Sequence, residues 1–285
     1  MRVVLALSAG LLVLFGWWYL RGLRRVRDHQ QGRRSQRWRP WLLLAALVVT
    51  VAVTAPPLGE ILEERLSTHM TQHMVLIMVA APLLALSAPG QPLLAGMPRA
   101  LRSRVVRLGR RLPLGGLLTP HFAWAAHIGL LWAWHMPAAY DAALRDELLH
   151  YLEHACFLGT AWLFWWHLAT LTRHRLRGPV ALLYVVAAIP PGAALGALLT
   201  FPDHALYPAQ AAHALAAGIN PLLDQRIGGL VMWVPLDLAY MALAVWLFLR
   251  WFRSLEREQG GGDPLPVVPD PIPGDPVAGP STRWR

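Results

Sequence analysis

The stretch "STHMTQHMVLIMVAAPLLALSAPG", from Ser67 to Gly90, decides how the rest of the chain is read. From Met70 to Leu86 it is dominated by apolar residues, over the length a helix needs to cross a bilayer's hydrocarbon core, about 17–25 residues. Yet it opens with His69, Met70, His73 and Met74, two pairs each four residues apart. Positions i and i+4 share one face of a helix, about 5–6 Å apart at Cβ. His69 and His73 can therefore aim at one centre.

Outward from this stretch the same character repeats. Of 285 residues, 55% are hydrophobic and only 15% are charged, where a soluble domain carries about a quarter. Six further apolar runs lie at Val3–Leu20, Trp41–Ala55, His121–Trp134, Tyr151–Ala169, Val180–Leu199 and Ile227–Leu249. The expected fold is all-α: a polytopic membrane helix bundle of seven transmembrane helices, filling residues 1–259. In the first run the basic residues follow the apolar stretch instead of preceding it, so it reads as a retained span, not a cleaved signal. Residues 260–285, rich in Pro and Gly without an apolar period, read as a disordered cytoplasmic tail.

The net charge of +10 comes entirely from arginine; the chain has no lysine. Twenty arginines fall on one side of the expected bundle: eight from Arg21 to Arg39, six from Arg99 to Arg111, then Arg173, Arg175, Arg177, Arg250, Arg253 and Arg257. The other side has Arg2, Arg65, Arg145 and Arg226 with most of the acids. Arginine on one face of a bundle is a topology signal, so it carries no argument for nucleic acid. The expected orientation is N-terminus out and C-terminus in.

With that orientation, seven of the twelve histidines fall at the outer face. His69 and His73 open the third span, His135 closes the fourth in "WAWHMP", and His150 and His154 open the fifth in "HYLEHACF". His204 and His213 sit in the last outer loop. A lone interfacial histidine is ordinarily a headgroup or capping residue. Two HxxxH pairs and His135 at one face point instead to a shared metal. Imidazole suits copper, zinc and iron, and thioether sulfur selects Cu(I). The expected metal residues are His69, His73, His135, His150 and His154, with Met70 and Met74. Met78 continues the methionine stripe, which at this spacing is as a rule core packing and gains ligand weight only from the imidazoles beside it.

Other marked residues have plainer readings. Asp237, in the middle of the last span, is either functional or paired with His127 or a backbone group. Glu153 either orients a ligand imidazole or is a solvated interfacial acid. Cys156 reads as a buried structural thiol, and as the sole cysteine it excludes an internal disulfide or a CxxC motif. Asp224 reads as an N-cap of the last span, Gly228 and Gly229 as close-packing positions, and Pro190 and Pro191 as a kink. Trp132, Trp134, Trp165 and Trp166 fit interfacial belts.

Four segments taken together, "HMTQHMVLIMVAAPLLALSAPG", "LWAWHMPAAYDAAL", "LLHYLEHACFLGTAWLFWW" and "DQRIGGLVMWVP", resemble the seven-helix CtaG family of cytochrome c oxidase assembly factors. The resemblance covers about Glu60 to Phe252, with the first span, the arginine-rich first loop and the tail outside it. It implies a non-enzymatic protein of the respiratory chain that helps form the copper centre of an oxidase subunit. The family's histidines would fall on His69, His73, His135, His150 and His154; His167 stands where a proline is expected after "FWW".

Three other functions compete. A metal-free scaffold for an oxidase subunit would need the same spans without the ion. A membrane di-iron oxygenase also uses HxxxH boxes, but adds an HH-containing box, of which this chain has none. A heme-binding subunit could place paired histidines on facing helices. A retinal protein is excluded by the lack of lysine, and an HExxH metalloprotease by the lack of that motif.

Overall fold

The computed structural model describes residues 14–25, 38–111, 116, 118–169 and 176–260. The start of the expected first span, His29, His174 and the tail from residue 261 lie outside them. No strand occurs among the described residues. The helices are α1 (14–25), α2 (Arg39–Thr54), α3 (Leu58–Glu63), α4 (Leu66–Ser87), α5 (Gly90–Gly96), α6 (Arg99–Arg111), α7 (Pro120–Trp134), α8 (Pro137–Arg145), α9 (Glu147–Ala169), α10 (Gly178–Thr200), α11 (Pro208–Ala216) and α12 (Pro221–Gly260).

Local chemistry sets many of the boundaries. Thr119 caps α7, its hydroxyl accepting from the Phe122 N–H at 3.3 Å, with Pro120 at the first helical position. Asp146 accepts from the N–H groups of Leu148 and Leu149 at the start of α9. Asn220 does the same for Leu222 and Leu223 at the start of α12. The C-terminus of α4 turns at Ala88, whose φ of 46° is left-handed, just before Pro89.

Three helices are long and apolar enough to cross a membrane: α4, α10 and α12 from Pro221 to Arg257. Helix α2 is apolar but shorter. Along α12 the residues Ile227, Leu230, Val234, Leu238, Met241 and Val245 are all exposed, at spacings of three and four. Such a stripe on a soluble protein would mark an aggregation or binding surface; on a spanning helix it is the side turned to lipid.

Helix α12 organises the bundle, packing on α10 and on α4. The crossing with α10 is tight: a Cβ on Gly196 would lie 2.5 Å from the Trp233 Cβ, and one on Gly229 would lie 2.8 Å from the Gly196 carbonyl oxygen. Gly228 faces α4, where an added Cβ would meet Met70 Cγ at 3.3 Å. Both glycines of the pair thus serve close packing, on two different neighbours.

Two irregular turns re-aim side chains. Helix α10 breaks between Val186 and Ile189, directly before Pro190 and Pro191, as a proline pair in a span requires. The Pro191 carbonyl is taken by the Trp132 indole N–H at 3.2 Å. In α4, Leu76–Ala80 forms a π-helical turn, a feature common near functional sites. The Ile77 carbonyl there accepts from the Trp165 indole at 3.0 Å. Trp165 is therefore turned onto the core, where its indole ties α9 to α4.

Candidate metal centre

The histidines of α4 lie on its buried stripe. Leu66, His69, Met70, His73, Met74, Ile77 and Ala81 are all buried, following the three-four spacing of a core-facing helix side. On α9 the stripe is His150, Glu153, His154, Phe157, Ala161 and Phe164. On α7 it is Ala123, His127 and Leu131, followed by His135 just past the helix end. Each element carries polar residues where apolar ones belong and, His127 apart, they lie at one end of the bundle: α4 and α9 begin there, and α7 ends there.

The five expected imidazoles converge. Ring centroids are 4.3 Å apart for His69 and His73, 4.4 Å for His150 and His154, 5.1 Å for His69 and His150, 5.2 Å for His73 and His154, and 6.0 Å for His73 and His135. One nitrogen each of His69, His150 and His154 lies within 4.8 Å of the others. The Nε2 atoms of His69 and His73 are 2.8 Å apart. Buried imidazoles ordinarily have partners; here His150 Nε2, His154 Nε2 and His73 Nδ1 have no hydrogen bond. Those orphaned nitrogens fit a cation better than a packed core.

The remaining contacts orient the rings. His135 Nδ1 is 2.7 Å from the Leu131 carbonyl. A carbonyl can only accept, so Nδ1 carries the proton and the Nε2 lone pair of the neutral ring is left free. That Nε2 faces Met70 Sδ at 3.4 Å. Tyr140, on α8, places its hydroxyl 3.2 Å from His69 Nδ1. Burial first, then the charge of Glu153, holds the Tyr140 phenol well above its ordinary pKa, so it stays neutral. Tyr207 lies beside it in a tilted ring contact, centroids 4.2 Å apart, and donates to the His135 carbonyl at 2.9 Å. Glu63 Oε1 lies 3.6 Å from His150 Nδ1. Burial, with Glu60 beside it, raises the Glu63 carboxyl above its usual range.

The family model for the cytochrome c oxidase caa3 assembly factor (Caa3_CtaG) matches residues 17–254, well over half of the chain. The chain belongs to that family. No curated protein and no solved structure matches it. The family match begins more than forty residues before Glu60, so it takes in the arginine-rich first loop and α2, which the four motif segments had left out.

Other marked residues of this Caa3_CtaG protein have different partners or stand apart from the cluster. His204 is exposed and paired with Asp203 at 2.8 Å, and His213 is exposed on α11; neither joins the cluster. Met74 is buried on the α4 stripe, one residue after His73. Asp237 accepts from the Trp233 indole at 2.8 Å, four residues back, while His127 Nδ1 lies 3.4 Å from the Thr160 hydroxyl; the two do not pair. Cys156 is only half-buried. Asp224 is a cap, but of another helix: its carboxylate accepts from the Leu66 and Ser67 N–H groups and the Ser67 hydroxyl, at the start of α4.

The largest departure is Glu153. It is fully buried, neither solvated nor hydrogen-bonded, and one oxygen stands 3.9 Å from His73 Nε2. Glu153 also shares a possible ligand group with His69 and His73. Its position three residues after His150 on the buried stripe was the available signal. Tyr140, Tyr207 and Glu63 carried none, because each reaches the site from a short helix or loop whose docking no periodicity encodes.

Proposed function

We propose that this protein is a multi-pass protein of the bacterial plasma membrane, with seven spans, N-terminus out and C-terminus in. It binds Cu(I) at an outer-face site of His69, His73, His135, His150 and His154, with Met70 and Met74 as exchange ligands. It passes the ion in the bilayer plane to the copper-containing subunit of cytochrome c oxidase and catalyses no reaction. The observation that carries the reading is the set of orphaned imidazole nitrogens of His150 and His154, gathered with His69 within 4.8 Å. The oxidase as partner rests on the family match. Imidazole and thioether together favour Cu(I), and the cluster's place at the end of the bundle keeps the path for transfer short.

The test is copper retention after anaerobic loading with Cu(I) and removal of loose metal. Wild type is expected to keep copper, and His150→Ala/His154→Ala to lose nearly all of it. Full stoichiometry in that double variant would overturn the arrangement.

A further inference from the structure

Helix α6 has no extensive contact with any other helix among the described residues, and none of its described side chains is buried. Its 13 residues carry six arginines and no acid, and along the chain no acid occurs between Glu64 and Asp141. Arg99 and Arg102, Arg104 and Arg107, and Arg107 and Arg111 stand three or four residues apart. Like charges at that spacing crowd one another on a helix surface and destabilise it. A helix this short is also marginal in water without tertiary packing. An anionic surface laid against α6 would remove both penalties.

The helix is two-sided. Leu101, Val105 and Leu108 follow the i, i+4, i+7 spacing of one side, and Val105 and Leu108 are 39% and 57% exposed. Arg102 and Arg104 flank that stripe, while Arg99 and Arg107 lie away from it. An arginine-rich helix with such a side lies in a membrane interface, its apolar residues among the headgroups and upper acyl chains. Long arginine stems let the flanking guanidiniums reach back to the phosphates. The place of α6 in the fold agrees. Helix α5, directly before it, crosses α1 so closely that a Cβ on Gly22 would collide with the Pro92 carbonyl, and one on Gly96 with the Trp18 carbonyl. Arg25 donates to the Ala95 carbonyl there at 2.7 Å. On α1 this is where the exposed apolar residues Leu14, Trp17 and Leu20 give way to exposed Arg21, Arg24 and Arg25, the change a helix makes at a lipid boundary. We propose that α6 is a surface anchor. It lies on anionic phospholipid headgroups at the arginine-rich end of the bundle, with Leu101, Val105 and Leu108 toward the acyl chains and its guanidiniums on lipid phosphates. Of the proposed function this requires only that the bundle sits in a bilayer, not that it binds copper.

The experiment reconstitutes the full-length protein in bilayers of phosphatidylcholine alone and of phosphatidylcholine and phosphatidylglycerol in equal parts, and follows backbone amide exchange by mass spectrometry. The amides of α6 are expected to exchange about tenfold more slowly when phosphatidylglycerol is present. Arg102→Gln/Arg107→Gln/Arg111→Gln halves the charge of a helix on which the bundle does not depend for packing. It should lose most of that difference while α12 exchanges as in wild type. Amides of α6 that exchange equally fast in both lipids overturn the anchor. Amides equally slow in both overturn it too, since protein, either the bundle or a second copy, would then cover the stripe. A lipid-dependent difference that the glutamine variant keeps also overturns it. Slow exchange along α4, α10 and α12 reports the embedding separately. Rapid exchange there would overturn the bilayer reading, and the anchor with it.

Discussion

Asp224→Ala is expected to cost roughly 2–4 kcal/mol and to loosen the metal-binding end of the bundle. The carboxylate is buried on α12 and accepts three hydrogen bonds at the N-terminus of α4, at 2.8 Å from Leu66 N, 3.3 Å from Ser67 N and 2.5 Å from the Ser67 hydroxyl. An acid there also meets the positive end of the α4 dipole. Alanine would leave two backbone donors unsatisfied, only two to three residues before His69. Asp224→Asn keeps an acceptor but loses the charge, so about half the loss is expected. Thermal unfolding in detergent reads the stability, and copper affinity reads the order of the α4 end. An alanine variant as stable as wild type would mean that the α4 start is held by something other than this cap.

Gly196→Val is expected to be as severe through a different route. Even the Cβ would stand 2.5 Å from the Trp233 Cβ and 3.1 Å from the Gly229 carbonyl, so α10 and α12 must separate. Overpacking costs typically about 1–3 kcal/mol, sometimes more, and valine adds two methyls beyond that clash. Gly159→Ala is the control: nothing lies within 4 Å of its added Cβ, and alanine in a helix interior gains roughly 0.5–1 kcal/mol over glycine. The pair of melting temperatures, one falling and one level or rising, checks the crossing. A Gly196→Val variant that melts with wild type would place the α10–α12 contact elsewhere.

Both predictions concern features that the sequence announced only in part. The apolar runs predicted helices at 41–55, 70–86, 121–134, 151–169, 180–199 and 227–249, and a helix occupies each of them, because a long run with capping residues at its ends has little alternative. The break before Pro190 and the close packing at Gly228 and Gly229 were legible for the same reason: proline and glycine constrain the backbone wherever they stand. The five histidines were legible because HxxxH fixes two imidazoles on one helix face whatever the tertiary contacts. What could not be read was which helix each polar side chain serves. Asp224 looks like a cap from its place near a helix start, yet it caps a helix 157 residues or more away in sequence. Glu153 and Tyr140 are chemically ordinary in sequence, and only the packing of α4, α8 and α9 turns them toward the histidines. His204 and His213 share the side of the cluster but not its place, since side is a property of topology and convergence a property of packing.

The most direct test of the account is copper content after anaerobic loading of the detergent-solubilised protein with Cu(I), measured for wild type beside His69→Ala/His73→Ala. These two rings stand at the centre of the cluster, fully buried, between the α9 pair and His135. The account predicts near-stoichiometric copper in wild type and almost none in the double variant, with the variant still folded. Equal copper in both proteins, or none in either, would contradict it.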